Sequence, residues 1–479
     1  MRPTHPGRWW IVPLLASFSV AGAGREVPVI EAVKTANTAH LRGLLQRQVD
    51  VNAAEADGMT ALHWAAHRDD LEAVDLLIGA GANVNAVTDH RVTPLSLSCI
   101  SGRGAVAERL LKGGADPNAA LPGGETPLMR AARADNVATV RTLLAHGADV
   151  NAKETRGEQT PLMWAVAEGH SAVAQVLIES GADVRARSKR GYTPLLFATR
   201  RGNLDSVRLL LAAGVDVNDT APGGGTALLA AVINGRADVV DLLLDKGADP
   251  NLQGDVSEPP FSLPGSTWGT PLHAVVEIAN WEKHDVRFTV PRDFDKVRIT
   301  KALLAHGADP NARTDKESPR WNYGLYYVNL VGATPFLLAA KAGDLQMMRL
   351  LLDHRADPLL TTKEHTTALM VAAGLGFMPA QSRDTPGEHL EAVRLLLDLG
   401  ASIHAVNDQG LTALHGTAMA GWNNIVQFLA DRGAKLDAKD KGDRTPLNLA
   451  EGARLPGRIA EYPQLQTAAL LRRLARDGR

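Results

Sequence analysis

His63 and His67 stand four residues apart, a spacing that places two imidazoles on one helix face, where they could hold a zinc ion. A zinc hydrolase of that type needs a glutamate directly after the first histidine. Trp64 occupies the position, so the motif is absent and the pair reads as structural or surface histidines. Gly169-His170-Ser171-Ala172-Val173 resembles a hydrolase elbow but lacks its second glycine. Ser171 falls at the start of a helical segment, where capping accounts for it. Gly123-Gly124 and Gly223-Gly224-Gly225 each follow a proline, and no Gly-Lys-Ser/Thr comes after them. They are turns and not phosphate loops. Cys99 is the one cysteine. It rules out an intramolecular disulfide, and its apolar surroundings read as a buried thiol. His284, Asp285, Asp293 and Asp295 form the densest acid–base group. They carry the alternative reading, an enzyme or enzyme subunit with its chemistry in loops.

None of these groups explains the dominant pattern, which is repetition. Thr followed by Pro or Ala and then Leu (once Phe) recurs with threonines at 60, 93, 126, 160, 193, 226, 270, 334, 367, 412 and 445. Successive gaps are 33, 33, 34, 33, 33, 44, 64, 33, 45 and 33 residues. In the uninterrupted units a Leu-rich segment follows the start by about half a period and closes with Gly-Ala-Asp/Asn or a near variant, as at Leu143-Leu144 and Gly147-Ala148-Asp149.

Each unit has a physical reading. Threonine is a good helix N-cap, and the proline that follows it in seven units suits the first helical position. Thr193-Pro194-Leu195 opens a short first helix, and Gly202 ends it by tolerating a left-handed conformation. A second helix runs through Val207 and Leu209-Leu210-Leu211, and Gly214 closes it. Two helices this short cannot hide their apolar faces alone, so the units must stack. Asp69 and Asp135 replace the glycine between helices, and Arg355 replaces the closing glycine, where local strain is expected.

These residues resemble the ankyrin repeat. Thr60-Ala61-Leu62-His63-Trp64-Ala65-Ala66 through Gly81-Ala82-Asn83-Val84-Asn85 is a close match, and the resemblance extends from about Val29 to Ala450. It implies an all-α solenoid of stacked helix pairs, curved, with loop insertions. It also implies a concave binding face built from turns and first helices, and a structural role for the first-helix histidine kept at His63, His273 and His415. Residues 24–59 form a degenerate N-terminal capping repeat, 60–465 about eleven repeats, and 466–479 a C-terminal capping helix.

Insertions interrupt the period near 252–269, 278–296, 312–333 and 375–389. The first and third fall in turns and add about 11 and 15 residues; the other two fall between paired helices. The turn insertions hold Phe261 and Trp268, and Arg320, Trp321, Tyr323, Tyr326 and Tyr327. Such residues anchor interfaces, and these seven are the candidate partner-binding set. The competing reading has the aromatics fold back over the stack to compensate for the interruption. Trp281, Phe288 and Phe294 in a loop-side insertion show that aromatic enrichment is not confined to the turns.

Composition agrees with a binder. Basic and acidic side chains number 51 and 53, which gives no sign of a nucleic-acid partner. The expected partner is a protein or peptide, the chain a monomer, and no metal or other cofactor is implied. Arg2 and Arg8 precede an apolar run from Trp9 to Val20 and then Ala21-Gly22-Ala23. This reads as a signal peptide over residues 1–23, so the expected location is exported, periplasmic or secreted. The run is too short to span a bilayer, and no stable span is expected after cleavage.

Overall fold

The computed structural model describes residues 27–101, 104–254, 269–280, 294–316, 328–377, 386–453 and 463–477. They fall into two compact units, Met1–Thr155 and Arg156–Arg479. Among the described residues the regular structure is helical, and extended pairing is limited to the bridges Ala54–Thr60, Thr220–Thr226 and Gly254–Gly269.

The first unit stacks helix pairs in chain order: Pro28–Lys34 with Thr38–Gln46, Ala61–His67 with Leu71–Gly79, Pro94–Ser101 with Ala105–Lys112, and Pro127–Arg133 with Val137–Ala145. The second unit continues the same plan. Its pairs begin with Pro161–Glu168 and Ser171–Glu179, then Pro194–Arg201 and Leu204–Ala212, then Ala227–Ile233 and Ala237–Asp245. Pro271–Ala279 pairs with Lys296–Ala305, Pro335–Lys341 with Leu345–Asp353, and Ala368–Ala372 with Pro386–Asp398. Ala413–Ala420 with Asn423–Asp431, and Pro446–Ala450 with Leu465–Arg476, complete the unit.

The caps form as the residue types require. Thr126, Thr226, Thr334 and Thr367 sit in extended backbone and accept the N–H three residues on, at 3.1–3.3 Å. Second helices use Asp or Asn in the same way: Asp70, Asn136, Asn203 and Asp344 each accept such an N–H. Ser171 is a correction. It is the first residue of its helix, the cap position belongs to His170, and no side chain caps there.

Each layer is held by fully buried leucine, valine and alanine. Leu77, Leu110 and Leu143 in the first unit, and Leu210, Leu243, Leu303, Leu351 and Leu429 in the second, are fully buried. Burying one such side chain contributes about 2 kcal/mol, which is why a helix pair gains stability only beside its neighbour. Arg355 has φ of +68°, Asp69 +57° and Asp135 +56°. The replacements for glycine therefore adopt the left-handed backbone that glycine takes freely. That is mild for Asp and a real strain for Arg.

Candidate partner-binding surface

The surface is easiest to build from the base of each turn. In the ordinary turn after Asn85, the Thr88 N–H donates to the Val92 carbonyl at 3.1 Å. Three residues, 89–91, form the tip, and Thr93 then caps the next helix. The same closing bond joins Ser188 to Tyr192, Thr362 to Thr366, Asn407 to Leu411 and Asp440 to Arg444, at 3.0–3.1 Å.

Both turn insertions keep that base. The Gly254 N–H donates to the Gly269 carbonyl at 3.1 Å, and the Thr314 N–H donates to the Ala333 carbonyl at 3.1 Å. Gly269 and Ala333 directly precede the capping threonines Thr270 and Thr334. The three-residue tip is thus replaced by residues 255–268 in one turn and 315–332 in the other, while the frame beneath is unchanged.

The two bases are also neighbours. The Gln253 side-chain amide donates to the Arg313 carbonyl at 2.8 Å. A Cβ at Gly254 would collide with the Gly224 carbonyl oxygen of the preceding turn, so only glycine lets the turns approach this closely. On the other side the Lys363 N–H donates to the Val331 carbonyl at 2.8 Å, and the Asn329 amide reaches Glu364 at 3.0 Å. Within the second base, Thr314 Oγ1 donates to the Leu330 carbonyl at 2.9 Å.

Phe261, Trp268, Arg320, Trp321, Tyr323, Tyr326 and Tyr327 lie outside the described residues. So do Trp281, His284, Asp285, Phe288 and Asp293. The structure therefore brings together the roots of the predicted set and places none of its side chains. The flank that is described folds inward. Val328 packs against the buried cluster of Met370, Leu375, Leu411, Met419 and Leu449. Its Cγ2 stands 3.0 Å from where a Cβ at Gly376 would lie, so a side chain there would have to displace it. The described flank of this tip is thus anchored in the core, while the aromatics of the insertion lie outside the described residues.

Aromatics also cover the stack on the loop side. Phe377 and Trp422 have ring centroids 4.7 Å apart, and His389 stacks on Trp422 at 4.4 Å. The inserted loop before Pro386 is partly spent on length, since Pro386–Asp398 has 13 residues where most second helices have nine.

The groups with chemical potential are structural where they are described. The Thr60 N–H donates to His63 Nδ1 at 3.2 Å, so Nδ1 carries no proton, and Nε2 faces the Val92 carbonyl at 3.0 Å. His273 repeats this with Thr270 and Ala333, at 3.3 and 3.1 Å, and His415 with Thr412 and Arg444, at 3.1 and 3.1 Å. Each ring thereby caps its own helix and ties it to the next turn. Burial pushes the His273 imidazole down to about 4, against weaker upward pulls from the carbonyls of Ala333 and Ala312. Burial likewise lowers His63 and His415. Cys99 is fully buried, which raises its thiol to about 12 and leaves it without nucleophilic character. Asp295, the described member of the acid–base group, caps Lys296–Ala305 by accepting the Arg298 N–H at 2.9 Å. Among the described residues no three His, Cys, Asp or Glu side chains gather to hold a metal ion. No described helix is long and apolar enough to cross a membrane.

One set of contacts escaped the sequence reading. The Asn85 amide donates to the Gly114 carbonyl at 2.9 Å, and its oxygen accepts the Asp116 N–H at 2.8 Å. Asn52, Asn118, Asn218, Asn251 and Asn311 clamp the following helix end in the same two-point way. Arg185 substitutes at one such position, donating to the Gly214 carbonyl at 2.9 Å. The signal was an offset of 29 residues between an asparagine and a glycine in the uninterrupted repeats, at Asn52, Asn85, Asn118 and Asn218.

The sequence matches the family model for ankyrin repeats (three copies) over residues 29–121, 120–188, 181–254, 293–380 and 380–455. A transient receptor potential cation channel subfamily A member 1 homolog of Caenorhabditis elegans is 33% identical over 118 residues, covering 24% of this chain and 9% of that protein. Ankyrin repeat and SOCS box protein 16 of Mus musculus is 32% identical over 117 residues, covering 24% of this chain and 25% of that protein. Human transient receptor potential cation channel subfamily A member 1 is 29% identical over 149 residues, covering 26% of this chain and 13% of that protein. The chain thus spans a quarter or less of the length of these relatives.

Proposed function

Given that the chain belongs to the ankyrin-repeat family, we propose that it is an exported scaffold that holds a protein or peptide on its lengthened turns. Ankyrin repeats are in general protein-interaction modules, and repeat stacks bind through extended surfaces and not through a single pocket. The observation that carries the reading is the pair of closed, adjacent turn bases at Gly254–Gly269 and Thr314–Ala333. A long tip on an intact base adds surface without a structural need for it in the layer below. The two lengthened turns rise from adjacent bases, and their sequences carry Phe261 and Trp268 in one and Arg320, Trp321, Tyr323, Tyr326 and Tyr327 in the other, the residues proposed to hold the partner. Tyr, Trp and Arg suit that role because they supply large contact area with few rotors to freeze. The inward packing of Val328 serves this role by fixing one end of a tip.

The export assignment is supported by the basic, apolar and small-residue succession at the N-terminus. Fractionation tests it, and a chain recovered with the cytoplasmic fraction would refute it. For the site, the test is to replace Trp321, Tyr323 and Tyr327 together by alanine. Cross-linked partner capture from the exported compartment and the melting temperature are then measured side by side. Lost capture with unchanged melting supports the binding role. Lost stability with intact capture supports a covering role instead.

A further inference from the structure

In the second unit a polar side chain ties the end of each second helix to the layer before it, as far as the helix Leu345–Asp353. Arg185 donates to the Gly214 carbonyl, Asn218 to Gly247, Asn251 to Gly307 and Asn311 to Arg355, at 2.9–3.2 Å. The next residue in this register is Leu359. Its backbone N–H donates to the Asp357 carboxylate at 2.9 Å, as that of Asn311 donates to Asp309 at 2.8 Å. The turn is therefore the same, and only the amide is gone. The following position is His404, whose N–H donates to Ser402 Oγ at 3.3 Å. Among the described residues its ring makes no bond to Gly433.

The histidine tie is missing at the same two steps. Leu337 and Met370 stand three residues after Thr334 and Thr367, where His273 and His415 reach the next turn in their own layers. The turns themselves stay tied. The Lys363 N–H donates to the Val331 carbonyl at 2.8 Å, and the Asp408 N–H to the Glu364 carbonyl at 2.9 Å.

Apolar packing treats the two steps differently. Met370, Leu375, Leu411, Met419 and Leu449 form one buried cluster that runs through the layers begun by Thr367, Thr412 and Thr445. It bridges the step at His404 from within. The step at Leu359 lies outside the cluster and is crossed by Val328, from the flank of the second lengthened turn, which packs against it.

We propose that the layers from Thr367 onward form a body that opens as one from the rest of the second unit, hinged at the turns, with Val328 as its latch. A repeat stack separates where the interaction between neighbouring layers is weakest, and the step at Leu359 is the first in the unit with neither kind of polar tie. Opening carries the seat of Val328 away, so the flank of the lengthened turn is anchored only while the body is closed. The state of the C-terminal layers is thereby linked to the hold on that turn.

Hydrogen exchange on the full chain tests this at four alanine amides with matched surroundings. The Ala248, Ala308, Ala401 and Ala434 N–H groups each donate to the leucine carbonyl five residues back, at 2.9–3.0 Å, and each alanine follows a glycine. Ala401 and Ala434 should exchange about tenfold faster than Ala248 and Ala308, and within about twofold of each other. Leu359→Asn supplies the missing amide and should slow both by about tenfold. Val328→Ala should speed both by about fivefold and leave Ala308 unchanged. Three results would each overturn the proposal. One is Ala401 and Ala434 exchanging no faster than the other two. Another is Leu359→Asn changing neither, as simple fraying of the chain end requires. The third is Val328→Ala speeding Ala308 as much as Ala401. Each readout is independent of partner capture, and so of the binding role given to the lengthened turns.

Discussion

The repeat that starts at Thr60 and the repeat that starts at Thr270 differ greatly in sequence and hardly at all in geometry. In the first, His63 reaches the Val92 carbonyl across 29 residues at 3.0 Å; in the second, His273 reaches the Ala333 carbonyl across 60 residues at 3.1 Å. Asn85 clamps Gly114 across 29 residues at 2.9 Å, and Asn251 clamps Gly307 across 56 residues at 2.9 Å. Doubling the intervening chain leaves the bonds between layers intact. The two turn insertions leave the stack through bases that are already closed, so their length is not transmitted to the layers. Loop entropy rises only slowly with length, and that lets a repeat array acquire new surface without redesigning its core.

The largest expected effect tests whether the interrupted repeat is packed as well as the regular one. Leu143→Ala and Leu303→Ala each remove a side chain with no exposure and should each cost about 3 kcal/mol. Denaturant unfolding of the two variants measures both. A cost at Leu303 of under half that at Leu143 would show that the interrupted repeat is loosely packed.

Acid should come next. The folded His273 ring sits near 4, below its ordinary 6.5, so the unfolded chain takes up the proton first. Its contribution is complete above about pH 6.5 and fades as pH falls toward 4, a loss of about 3 kcal/mol over that window. His63 shifts in the same direction, so the regular repeat should weaken in the same sense. Melting curves from pH 7 to 4 on the parent and on His273→Gln check this. The variant should start less stable and lose less on acidification.

The clamps give a smaller effect. Asn85→Ala and Asn251→Ala each leave a carbonyl and an N–H of the next layer to water, at a cost of about 1–2 kcal/mol. Similar losses by thermal melting would support a common frame, and a neutral Asn251→Ala would show that the insertions had loosened it. The smallest effect concerns Arg355, whose φ of +68° glycine adopts freely. Arg355→Gly should stabilise by about 0.5–1 kcal/mol.

Much of this frame was legible in the sequence because its parts are local. The capping threonines, the Leu-rich second helices and the glycine or aspartate between helices each state their conformation within a few residues. The strain at Arg355 was legible for the same reason. The asparagine clamps were not, because an Asn beside an Asp in a turn already has a local explanation. Its amide reaches into the next layer, where no residue type marks the target, since the acceptor is a backbone carbonyl. Ser171 was misread because serine's preference for the cap position points to a helix that starts after it, whereas the helix starts one residue earlier and His170 takes the cap position without a side-chain bond. For the candidate site, the broken spacing of the repeat threonines identified which turns were lengthened, and composition which interface-type residues they carry. That the two bases touch through Gln253 and Arg313 emerged only from the folded chain.

The most direct measurement replaces residues 255–268 and 315–332 by three-residue turn tips and follows both melting and partner capture. Closed bases predict a chain that still folds cooperatively and melts no lower than the parent, gaining about 1 kcal/mol for each shortened tip, while capture is lost. A shortened chain that melts far below the parent, or that still captures its partner in full, would contradict the account.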